Sequence, residues 1–424
     1  MAAPDTLAGW LAHWERVHAR PIDLGLERVA AIAERMRLSR PAPTCITVGG
    51  TNGKGSTVAM LDAILRATGR VVGTYTSPHL LSYNERVRID GECVDDAELI
   101  AAFRRVEAAR EATTLTYFEA GTLAAFAVFE AREVDVAVLE VGMGGRLDAV
   151  NVVDADAAVV TTIDLDHQEF LGPDRNAIGR EKAGIFRSGR PAISGDRAPP
   201  QSLLAHASAI GADLQRAGVD FGVHDAPGGW TWWHRDGASI DLPRPSLPGA
   251  FQFDNAAAAV AALHALRHTL PVSPSAIAAG LASARCPGRL QRVGETPEVV
   301  VDVAHNPQAA RELALWLAAQ PARRTVAVFA ALGDKDYAGI VAPLRGAIDA
   351  WFVAGLRDDS PRGLDAASTA ARMAALGIAA TASDGVAQAL AAAREVAGPA
   401  GRVLAFGSFH TVAGAMRACG LDRA

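Results

Sequence analysis

The sequence has 424 residues, of which 50% are hydrophobic and 21% are charged, and its formal net charge is −6. This length and composition are typical of a globular protein with two or three domains. No apolar run is long enough to span a membrane, and the negative net charge argues against a nucleic-acid-binding surface. The amino terminus lacks a secretory-signal pattern and the four cysteines are widely separated, so we expect a reduced, cytoplasmic protein with no nucleic-acid or membrane partner.

Strand-like apolar runs alternate with alanine-rich helical stretches through most of the chain, which predicts an α/β fold with mainly parallel sheets. An alternating segment at residues 228–242, with Trp230, Trp232 and Trp233, predicts a small antiparallel insertion whose tryptophans form a local core. The other elements predicted in the first part of the chain are strands at residues 45–48, 71–76, 134–139 and 157–163, and a helix at residues 57–68 that ends at Gly69.

The pattern breaks at residues 286–290, which read Cys-Pro-Gly-Arg-Leu. A second α/β alternation follows, with predicted strands at residues 299–303, 325–330, 351–354 and 403–406. We therefore expect one domain over residues 1–287 and another over residues 288–424, the second being within the usual size of a single domain.

A glycine-rich loop at residues 49–56 (here called the P-loop) reads Gly-Gly-Thr-Asn-Gly-Lys-Gly-Ser between a predicted strand and a predicted helix. Glycines allow backbone N–H groups to point at phosphate oxygens, and the helix amino terminus adds a positive potential. Lys54 can reach the β- and γ-phosphates, and the Ser56 hydroxyl can approach Mg²⁺. The loop departs from the general Walker pattern because Gly55 separates the lysine from the serine. We predict nucleotide binding here.

Only three of the 41 basic side chains other than histidine are lysines, namely Lys54, Lys182 and Lys335. In a chain where surface cations are almost all arginine, a retained lysine indicates a need for a primary amine or a compact charge. The P-loop makes this interpretation strongest for Lys54.

Polar residues follow several predicted strands, at the edge where a parallel sheet binds ligands. Glu140 suits Mg²⁺ coordination and precedes a glycine-rich run that contains Arg146. His167 ends another strand, and from spacing alone it fits a metal or phosphate ligand and a structural histidine equally well. Residues 302–307, with Asp302 and His305, suit a ribose, a base or an amino-acid carboxylate.

Together these segments resemble the Mur ligase superfamily and, within it, the family of bifunctional dihydrofolate synthases/folylpolyglutamate synthases. The matching blocks are residues 22–28, 50–56, 77–80, 85–88, 116–119, 139–149, 181–186, 287–289, 302–307 and 407–410. The resemblance implies a P-loop Mur-ligase-type ATPase domain with a parallel sheet, which binds ATP and pterin over residues 1–287. It also implies a C-terminal Rossmann-like α/β domain, the glutamate-ligase domain, over residues 288–424.

The implied activity is an ATP-dependent ligase that joins L-glutamate to dihydropteroate, forming dihydrofolate, and to folates, forming folylpolyglutamates, through an acyl-phosphate intermediate. The implied cofactors are ATP and two Mg²⁺ ions, with Lys182 carbamylated. The implied partners are therefore small molecules, and we expect a monomer.

The resemblance also implies roles for individual residues. It implies catalytic roles for Lys54, Lys182, His167, Arg289 and His305. It implies ATP contacts for Thr51, Asn52, Gly53, Lys54, Gly55, Ser56, Asn255, Arg289 and Asp302, and metal contacts for Ser77, Glu140, His167 and Lys182. It implies pterin contacts for Asp23, Leu24, Gly25, Thr116, Tyr117, Phe118, Glu119, Leu147, Asp148 and Ala149. It implies contacts with the incoming glutamate for His305 and Ser408.

Two other functions compete with this one. Another Mur-type ligase, extending a cell-wall nucleotide precursor, would share the P-loop, and only the resemblance of the blocks at residues 22–28 and 116–119 to the folate-ligase family argues against it. A nucleotide-regulated switch would hydrolyse the nucleotide to control a partner. A GTP switch normally carries an Asn/Thr-Lys-x-Asp motif, and none of the three lysines stands in one.

Overall fold

The computed structural model of the protein describes residues 4–38, 40–226 and 228–422. The chain divides into two compact units. Unit 1 comprises the residues up to Pro78 together with Asn84–Ser246 and Gln252–Arg285, and unit 2 comprises His79–Tyr83, Leu247–Phe251 and the chain from Cys286 onward. Each unit is built around its own main sheet, as the alternation of strands and helices predicted.

Unit 1 carries the first eleven strands and the first ten helices. The strands are β1 (Thr44–Gly49), β2 (Val72–Tyr75), β3 (Val87–Ile89), β4 (Glu92–Cys93), β5 (Val136–Glu140), β6 (Ala157–Val160), β7 (Pro191–Ser194), β8 (Asp213–Arg216), β9 (Phe221–Ala226), β10 (Gly229–His234) and β11 (Ser239–Pro243). The helices are α1 (Leu7–Val17), α2 (Glu27–Met36), α3 (Lys54–Arg66), α4 (Asp96–Arg110), α5 (Tyr117–Ala131), α6 (Gln168–Leu171), α7 (Arg175–Ala183), α8 (Gln201–Ile210), α9 (Phe251–Ala265) and α10 (Pro274–Ser283).

The main sheet of unit 1 has eight strands in the order β4-β3-β2-β5-β1-β6-β7-β8. Strands β2 and β5 to β8 run parallel with β1, whereas β3 and β4 form an antiparallel edge. Strands β1 and β5 are almost wholly buried, which explains why their sequences are mostly apolar and show no alternation of polar and apolar residues. The carboxyl ends of β2, β5, β1 and β6 therefore lie side by side, and the predicted ligand residues follow these four ends.

A separate three-stranded antiparallel sheet, in the order β11-β10-β9, forms the predicted insertion. The side chains of Trp230 and Trp232 are buried, and their indole N–H groups donate to backbone carbonyls of Pro243 and Ala257. The prediction that these tryptophans form a local core is confirmed for both. Trp233, on the other face of β10, stacks on His224.

Unit 2 has a six-stranded sheet in the order β12-β13-β17-β14-β15-β16, in which only β12 is antiparallel. Its strands are β12 (Gln291–Glu295), β13 (Glu298–Asp302), β14 (Thr325–Phe329), β15 (Ala350–Ala354), β16 (Ala380–Ser383) and β17 (Arg402–Phe406). Its helices are α11 (Pro307–Ala318), α12 (Tyr337–Val341), α13 (Ala366–Ala375), α14 (Val386–Ala397) and α15 (Phe409–Ala418). Apolar clusters fill both faces of this sheet, as expected for a mainly parallel sheet.

The predicted strands are all present, and their ends coincide with the predicted ends or differ from them by at most three residues. The strands that were not predicted are short or polar. For example, β8 reads Asp-Leu-Gln-Arg and β12 reads Gln-Arg-Val-Gly-Glu, so neither shows the apolar run that marks a buried strand. No helix among the described residues is both long and apolar enough to cross a membrane.

Candidate active site

The P-loop passes directly into helix α3. Gly53 precedes the helix in a left-handed conformation with φ of +88°, and the helix begins at Lys54. The predicted helix start at residue 57 was wrong, because the left-handed glycine turns the chain into the helix without further loop residues. The first N–H groups of a helix lack partners within it and attract anions. Lys54, Gly55 and Ser56 therefore supply these groups at the carboxyl edge of the sheet.

The segment after β6 supports the other side of the P-loop. The backbone N–H of Thr51 donates to the carbonyl of Thr162 at 2.6 Å, and the hydroxyl of Thr161 donates to the carbonyl of Asn52 at 2.5 Å. A strand was predicted at residues 157–163, but β6 ends at Val160 because residues 161 and 162 form hydrogen bonds with the P-loop. Thr161 also packs so close to Gly50 that a Cβ at that glycine would lie 1.9 Å from its hydroxyl oxygen.

Two of the three lysines converge on one carbonyl oxygen. The Nζ atoms of Lys54 and Lys182 donate to the backbone oxygen of Gly50 at 3.0 and 2.8 Å. Lys182 lies in α7 and is only 4% exposed. Burial, together with the charge of Lys54, lowers the pKa of Lys182 to about 7. A large fraction of this amine is therefore neutral near physiological pH.

Ser77 and Glu140 are in contact at the ends of neighbouring strands. Glu140 is the last residue of β5, is 5% exposed and pairs in register with Val48 of β1. The backbone N–H of Ser77, which follows β2, donates to Oε2 of Glu140 at 3.2 Å. Two of the predicted metal ligands thus meet beside the start of the P-loop.

His167 follows β6 and immediately precedes the short helix α6, with a left-handed φ of +50°. Its Nε2 lies 4.0 Å from Oδ2 of Asp166, a carboxylate that the sequence analysis did not select. The charge of Asp166 also favours the protonated form of Lys182, although less than burial and Lys54 disfavour it. His167 therefore lies on the loop after β6, and β6 is the neighbour of β1, the strand that leads into the P-loop.

Helix α9 brings Asn255 to the P-loop. A Cβ on Gly53 would lie 2.4 Å from Oδ1 of Asn255, so the glycine is required for this close approach. Asn255 donates to Gln252 at 2.9 Å, and Gln252 in turn donates to the Ser56 hydroxyl at 3.2 Å. All three side chains are buried. The loop and the helix are thus joined by a short chain of hydrogen bonds.

Glu119 sits at the centre of a buried network on the amino-terminal end of α5. Its Oε2 accepts from the backbone N–H of Thr116 at 2.7 Å, while the Thr116 hydroxyl accepts from the N–H of Glu119, which completes a capping box. Its Oε1 accepts from Arg28 at 2.9 Å, and Arg28 also donates to Asp23 at 2.7 Å. Since both carboxylate oxygens are engaged, Glu119 positions its neighbours, and Arg28 links the loop at Asp23 to α5.

The other predicted pterin residues lie around this network and around the glycine-rich run after β5. Phe118 packs so close to Gly142 that a Cβ there would lie 2.5 Å from the ring. Asp148 is 3% exposed and accepts from the backbone N–H groups of Met143 and Val150. Burial raises the pKa of Asp148 to about 6. The remaining positions are Leu24 and Gly25 beside Asp23, Tyr117 beneath the guanidinium of Arg86, and Leu147 and Ala149 on either side of Asp148.

In unit 2, the polar residues after β13 form a cluster. Asp302 accepts from the backbone N–H groups of Leu290 and Ala304, both at 2.8 Å, and burial raises its pKa. Arg289 lies over the ring of Phe409, and the ring of His305 packs beside the same phenylalanine. Ser408 caps α15 by accepting from the N–H of Thr411, so its hydroxyl has a structural role.

Comparison with known proteins shows to which family the chain belongs. The Mur ligase middle domain family matches residues 48–194, and the Mur ligase glutamate ligase domain family matches residues 288–409. The dihydrofolate synthase/folylpolyglutamate synthase of Escherichia coli (strain K12) is 47% identical over 415 residues, which are 98% of this chain and 96% of the relative. The chain belongs to the dihydrofolate synthase/folylpolyglutamate synthase family.

Solved structures of this family share the fold. E. coli FolC in complex with DHPP and ADP is 47% identical, with a TM-score of 0.92 and 98% of each chain covered. A bifunctional folylpolyglutamate synthase/dihydrofolate synthase from Yersinia pestis, complexed with AMPPNP and Mn ion, is 45% identical, with a TM-score of 0.92 and coverage of 99% and 100%. The predicted fold class, a Mur-ligase-type parallel-sheet domain followed by a second α/β domain, is confirmed.

Several residues at the site were missed by sequence reasoning. Gln252 and Arg28 carry no local motif, and their partners Ser56 and Glu119 lie 196 and 91 residues away in the chain. The threonine pair at residues 161 and 162 was read as part of a strand. The one signal in the sequence was the position of Arg28 at the end of a matching block, which marked it without indicating what it contacts.

Proposed function

We propose that this chain is an ATP-dependent ligase that joins L-glutamate to dihydropteroate and to folates. The observation that carries the proposal is the convergence of Lys54 and Lys182 on the Gly50 carbonyl, within the P-loop of a Mur ligase middle domain. Dihydrofolate synthases/folylpolyglutamate synthases that match almost the whole chain support the choice of folate substrates over a cell-wall precursor.

The residues around the P-loop fit a nucleotide with its metal ions. Gly50 and Gly53 adopt positive φ values, and a Cβ atom at either position would meet a close neighbour. The backbone N–H groups of the loop can therefore surround a phosphate without obstruction from side chains at these two positions. The donors Ser77, Glu140 and His167 provide oxygen and imidazole ligands at the same sheet edge, and oxygen ligands suit Mg²⁺. Bound Mg²⁺ would neutralise phosphate charge, with these residues and a carbamylated Lys182 as its ligands.

The chemistry begins with attack of the acceptor carboxylate on the γ-phosphorus of ATP, which gives an acyl phosphate and ADP. Lys54 offsets the repulsion between the carboxylate and the triphosphate, while Thr51, Asn52, Gly53, Gly55 and Ser56 hold the phosphates. The amine of L-glutamate then attacks the acyl carbon and releases phosphate, leaving an amide. In this scheme Asn255, Arg289 and Asp302 bind the nucleotide, and His305 and Ser408 bind glutamate.

We further propose that CO₂ carbamylates Lys182. Only the neutral form of an amine adds CO₂, and the lowered pKa of the buried Lys182 supplies that form near pH 7. The carbamate is an anion, so it removes the repulsion between the two lysines and can act as a ligand or orienter for a metal ion. The nitrogen keeps one N–H, which can preserve the bond to the Gly50 carbonyl.

The proposed pterin site comprises the network around Glu119 and the glycine-rich run that ends at Asp148. Asp23, Thr116 and Phe118 lie in the network around Glu119, and Asp148 provides a buried carboxylate at the end of the glycine-rich run. The raised pKa of Asp148 keeps part of this group protonated near pH 6, so it can both donate to and accept from a heterocycle. Residues 1–287 are thus proposed as the ATP- and pterin-binding domain, and residues 288–424 as the glutamate-ligase domain.

Replacing Gly53 with alanine is expected to lower kcat/KM for ATP on the order of tenfold to a hundredfold. The new Cβ would lie 2.4 Å from Asn255, so helix α9 or the loop must move out of position. Gly69→Ala is the matched control, since Gly69 follows the same helix with φ of +80° and has nothing within 4 Å of its Cβ position. Both variants share a strain of about 1 kcal/mol. Steady-state kinetics should separate them, and equal losses in kcat/KM would contradict the proposed close approach.

Replacing Arg28 with glutamine is expected to raise KM for dihydropteroate roughly tenfold and to leave KM for ATP unchanged. The variant loses the charged hydrogen bonds to Asp23 and Glu119, which hold the loop before α2 against α5. Arg35→Gln on the same helix is the control, because Arg35 is exposed and its contacts are with surface groups. A similar rise in both KM values would show that Arg28 has only a general structural role.

The direct test of the proposed ligase is purified protein with ATP, Mg²⁺ and L-glutamate, offered either dihydropteroate or tetrahydrofolate. Glutamylated product should appear by mass spectrometry, and phosphate release should need both the acid acceptor and glutamate. A nucleotide switch would release phosphate equally without either compound, and a cell-wall ligase would accept a UDP-sugar acid instead.

A further inference from the structure

A cluster of two histidines and one carboxylate lies in unit 1, apart from the residues assigned to the ligase. His234 ends β10, Asp236 stands in the turn between β10 and β11, and His264 lies in the last turn of α9. Each offers one ligand atom, and the three atoms lie within 4.8 Å of one another. Nδ1 of His234 is 2.8 Å from Oδ1 of Asp236, and Nε2 of His264 is 2.9 Å from Oδ2 of the same carboxylate. We propose that these three residues bind one divalent transition-metal ion of the zinc class, which fastens the β10–β11 hairpin to α9.

The donor set favours such an ion over Mg²⁺ or Ca²⁺. Two imidazole nitrogens and one carboxylate oxygen suit zinc and its first-row neighbours, whereas sites for Mg²⁺ and Ca²⁺ consist mainly of oxygen ligands. Three protein ligands leave one tetrahedral position for water or another small ligand. In a tetrahedral site with metal–ligand distances of about 2.0–2.1 Å, the ligand atoms lie about 3.3 Å apart. The two contacts to Asp236, at 2.8 and 2.9 Å, would therefore lengthen by about half an ångström when an ion binds, and all three ligand atoms already lie within 4.8 Å of one another.

The two imidazole rings are already held in place. Trp232 is fully buried, and its indole N–H donates to the carbonyl of Ala257 in α9. Its ring stacks on His234 at a centroid distance of 5.9 Å and contacts His264 at 5.1 Å. The turn is fixed by the N–H of Ala238, which donates to Oδ1 of Asp236 at 3.0 Å. Little conformational entropy remains to be lost when an ion binds.

The two ring nitrogens of His234 have different surroundings. Its side chain is only 7% exposed, and its Nε2 is buried with no hydrogen-bond partner among the described residues. The two nitrogens of an imidazole point in different directions, so the nitrogen that faces Asp236 and would bind the ion is Nδ1. Nδ1 accepts from the backbone N–H of Asp236 at 3.3 Å, which places the ring proton on Nε2 and directs the lone pair of Nδ1 toward the turn.

Arg267 opposes the cation and so provides a graded test. Its Nη2 lies 3.6 Å from Oδ2 of Asp236, and its positive charge lowers the affinity of the carboxylate for a metal ion. Removing this charge in Arg267→Gln is expected to tighten Zn²⁺ binding about threefold. A residue that merely completes a hydrogen-bond network would have no such effect on a metal titration.

The test uses the full-length protein, freed of metal with a chelator and kept in excess Mg²⁺ so that oxygen-rich sites are occupied. Titration with Zn²⁺, followed by calorimetry, should reveal one site whose affinity falls roughly tenfold or more in His264→Gln. Asp236→Asn, at the exposed turn, is the second variant if the first does not fold. His224→Gln is the matched control, because His224 is an exposed histidine of the same small sheet outside the cluster.

Two further measurements decide the ligands. Co²⁺ in place of Zn²⁺ should give a visible absorption spectrum of a tetrahedral nitrogen/oxygen site, absent in His264→Gln and present in His224→Gln. X-ray absorption of the Zn²⁺ form should show ligand distances of about 2.0–2.1 Å. Equal Zn²⁺ affinity in the wild type and both cluster variants, or zinc–sulfur distances of about 2.3 Å, would overturn the proposal.

Discussion

Lys54→Met is expected to lower kcat for glutamate addition roughly a thousandfold or more, with little change in the free energy of unfolding. Lys54 lies at the first position of α3, and its amine reaches back across the P-loop to the Gly50 carbonyl. A compact positive charge there stabilises the phosphoryl group as it moves from ATP to the acceptor carboxylate, and methionine has the length of this side chain without its charge. Single-turnover formation of ADP measures the step directly.

Two variants serve as controls for this experiment. Arg66→Gln removes a cation from the last turn of the same helix, where the guanidinium pairs with Asp62, and it should keep nearly full kcat because such pairs contribute little. Lys54→Arg retains a charge but has a broader head group than the crowded loop accepts, so it should remain strongly impaired. Wild-type kcat in Lys54→Met would show that the P-loop lysine does not act on the transferred phosphoryl group.

Removal of CO₂ is expected to lower activity by one to two orders of magnitude, about the loss expected when a metal ligand is poorly formed, and bicarbonate should restore it. The amine of Lys182 is neutral above its pKa of about 7 and protonated below it. Carbamylation therefore weakens as the pH falls through 7, and the response to bicarbonate should need higher concentrations at pH 6 than at pH 8. Kinetics in degassed buffer, with and without added bicarbonate, measure this dependence.

Lys182→Met provides the matched variant, since it fills the buried position without an amine. It should be inactive at every bicarbonate concentration, and a small added carboxylic acid should partly rescue Lys182→Ala by replacing the missing carboxylate. Carbon-13 NMR of the wild type in labelled bicarbonate should show a carbamate signal that Lys182→Met lacks. Activity that is indifferent to CO₂ would leave Lys182 as a neutral hydrogen-bond donor to Gly50.

The lowered pKa of the Lys182 amine also has a consequence for stability. A lysine in the unfolded chain has its ordinary pKa of 10.5, whereas Lys182 in the folded chain has a pKa of about 7. Between these values the unfolded chain binds more protons at this position, so the contribution of Lys182 to the free energy of unfolding rises with pH. In CO₂-depleted buffer, Lys182→Met should lack this rise, which separates a folding effect from a catalytic one.

The strongest sequence predictions were those whose cause is local. Residues 45–48 read Cys-Ile-Thr-Val, a β-prone and mostly apolar stretch, and they form the buried centre of β1. The glycines of the P-loop, two of which adopt positive φ, mark a turn into a helix that few other residues permit. Glu140 was expected at a strand end because it follows an apolar run, and it lies at the end of β5. Each of these features depends on residues next to one another in the chain.

Local sequence patterns predicted the structure less well where a residue forms a hydrogen bond with a partner far away in the chain. The strand predicted at residues 157–163 is three residues too long, because the threonines after Val160 bond to the P-loop instead of extending the sheet. Glu119 stays a predicted pterin contact, and its carboxylate also caps α5 and pairs with Arg28, which its local sequence did not indicate. The same sequence is compatible with either role until the position of α2 is known.

The sequence by itself determined the P-loop, the alternation of strands and helices in both parts of the chain, and membership of a folate-ligase family. Only the tertiary structure brought Lys182 to the Gly50 carbonyl, 132 residues away in the chain, and buried its amine so that the pKa of Lys182 falls to about 7. The physical reason is that desolvation and charge repulsion depend on the packing of α7 against the P-loop, which no periodicity encodes. The same holds for His234, Asp236 and His264, which have no metal-binding spacing in the sequence and meet only because α9 packs against the small sheet.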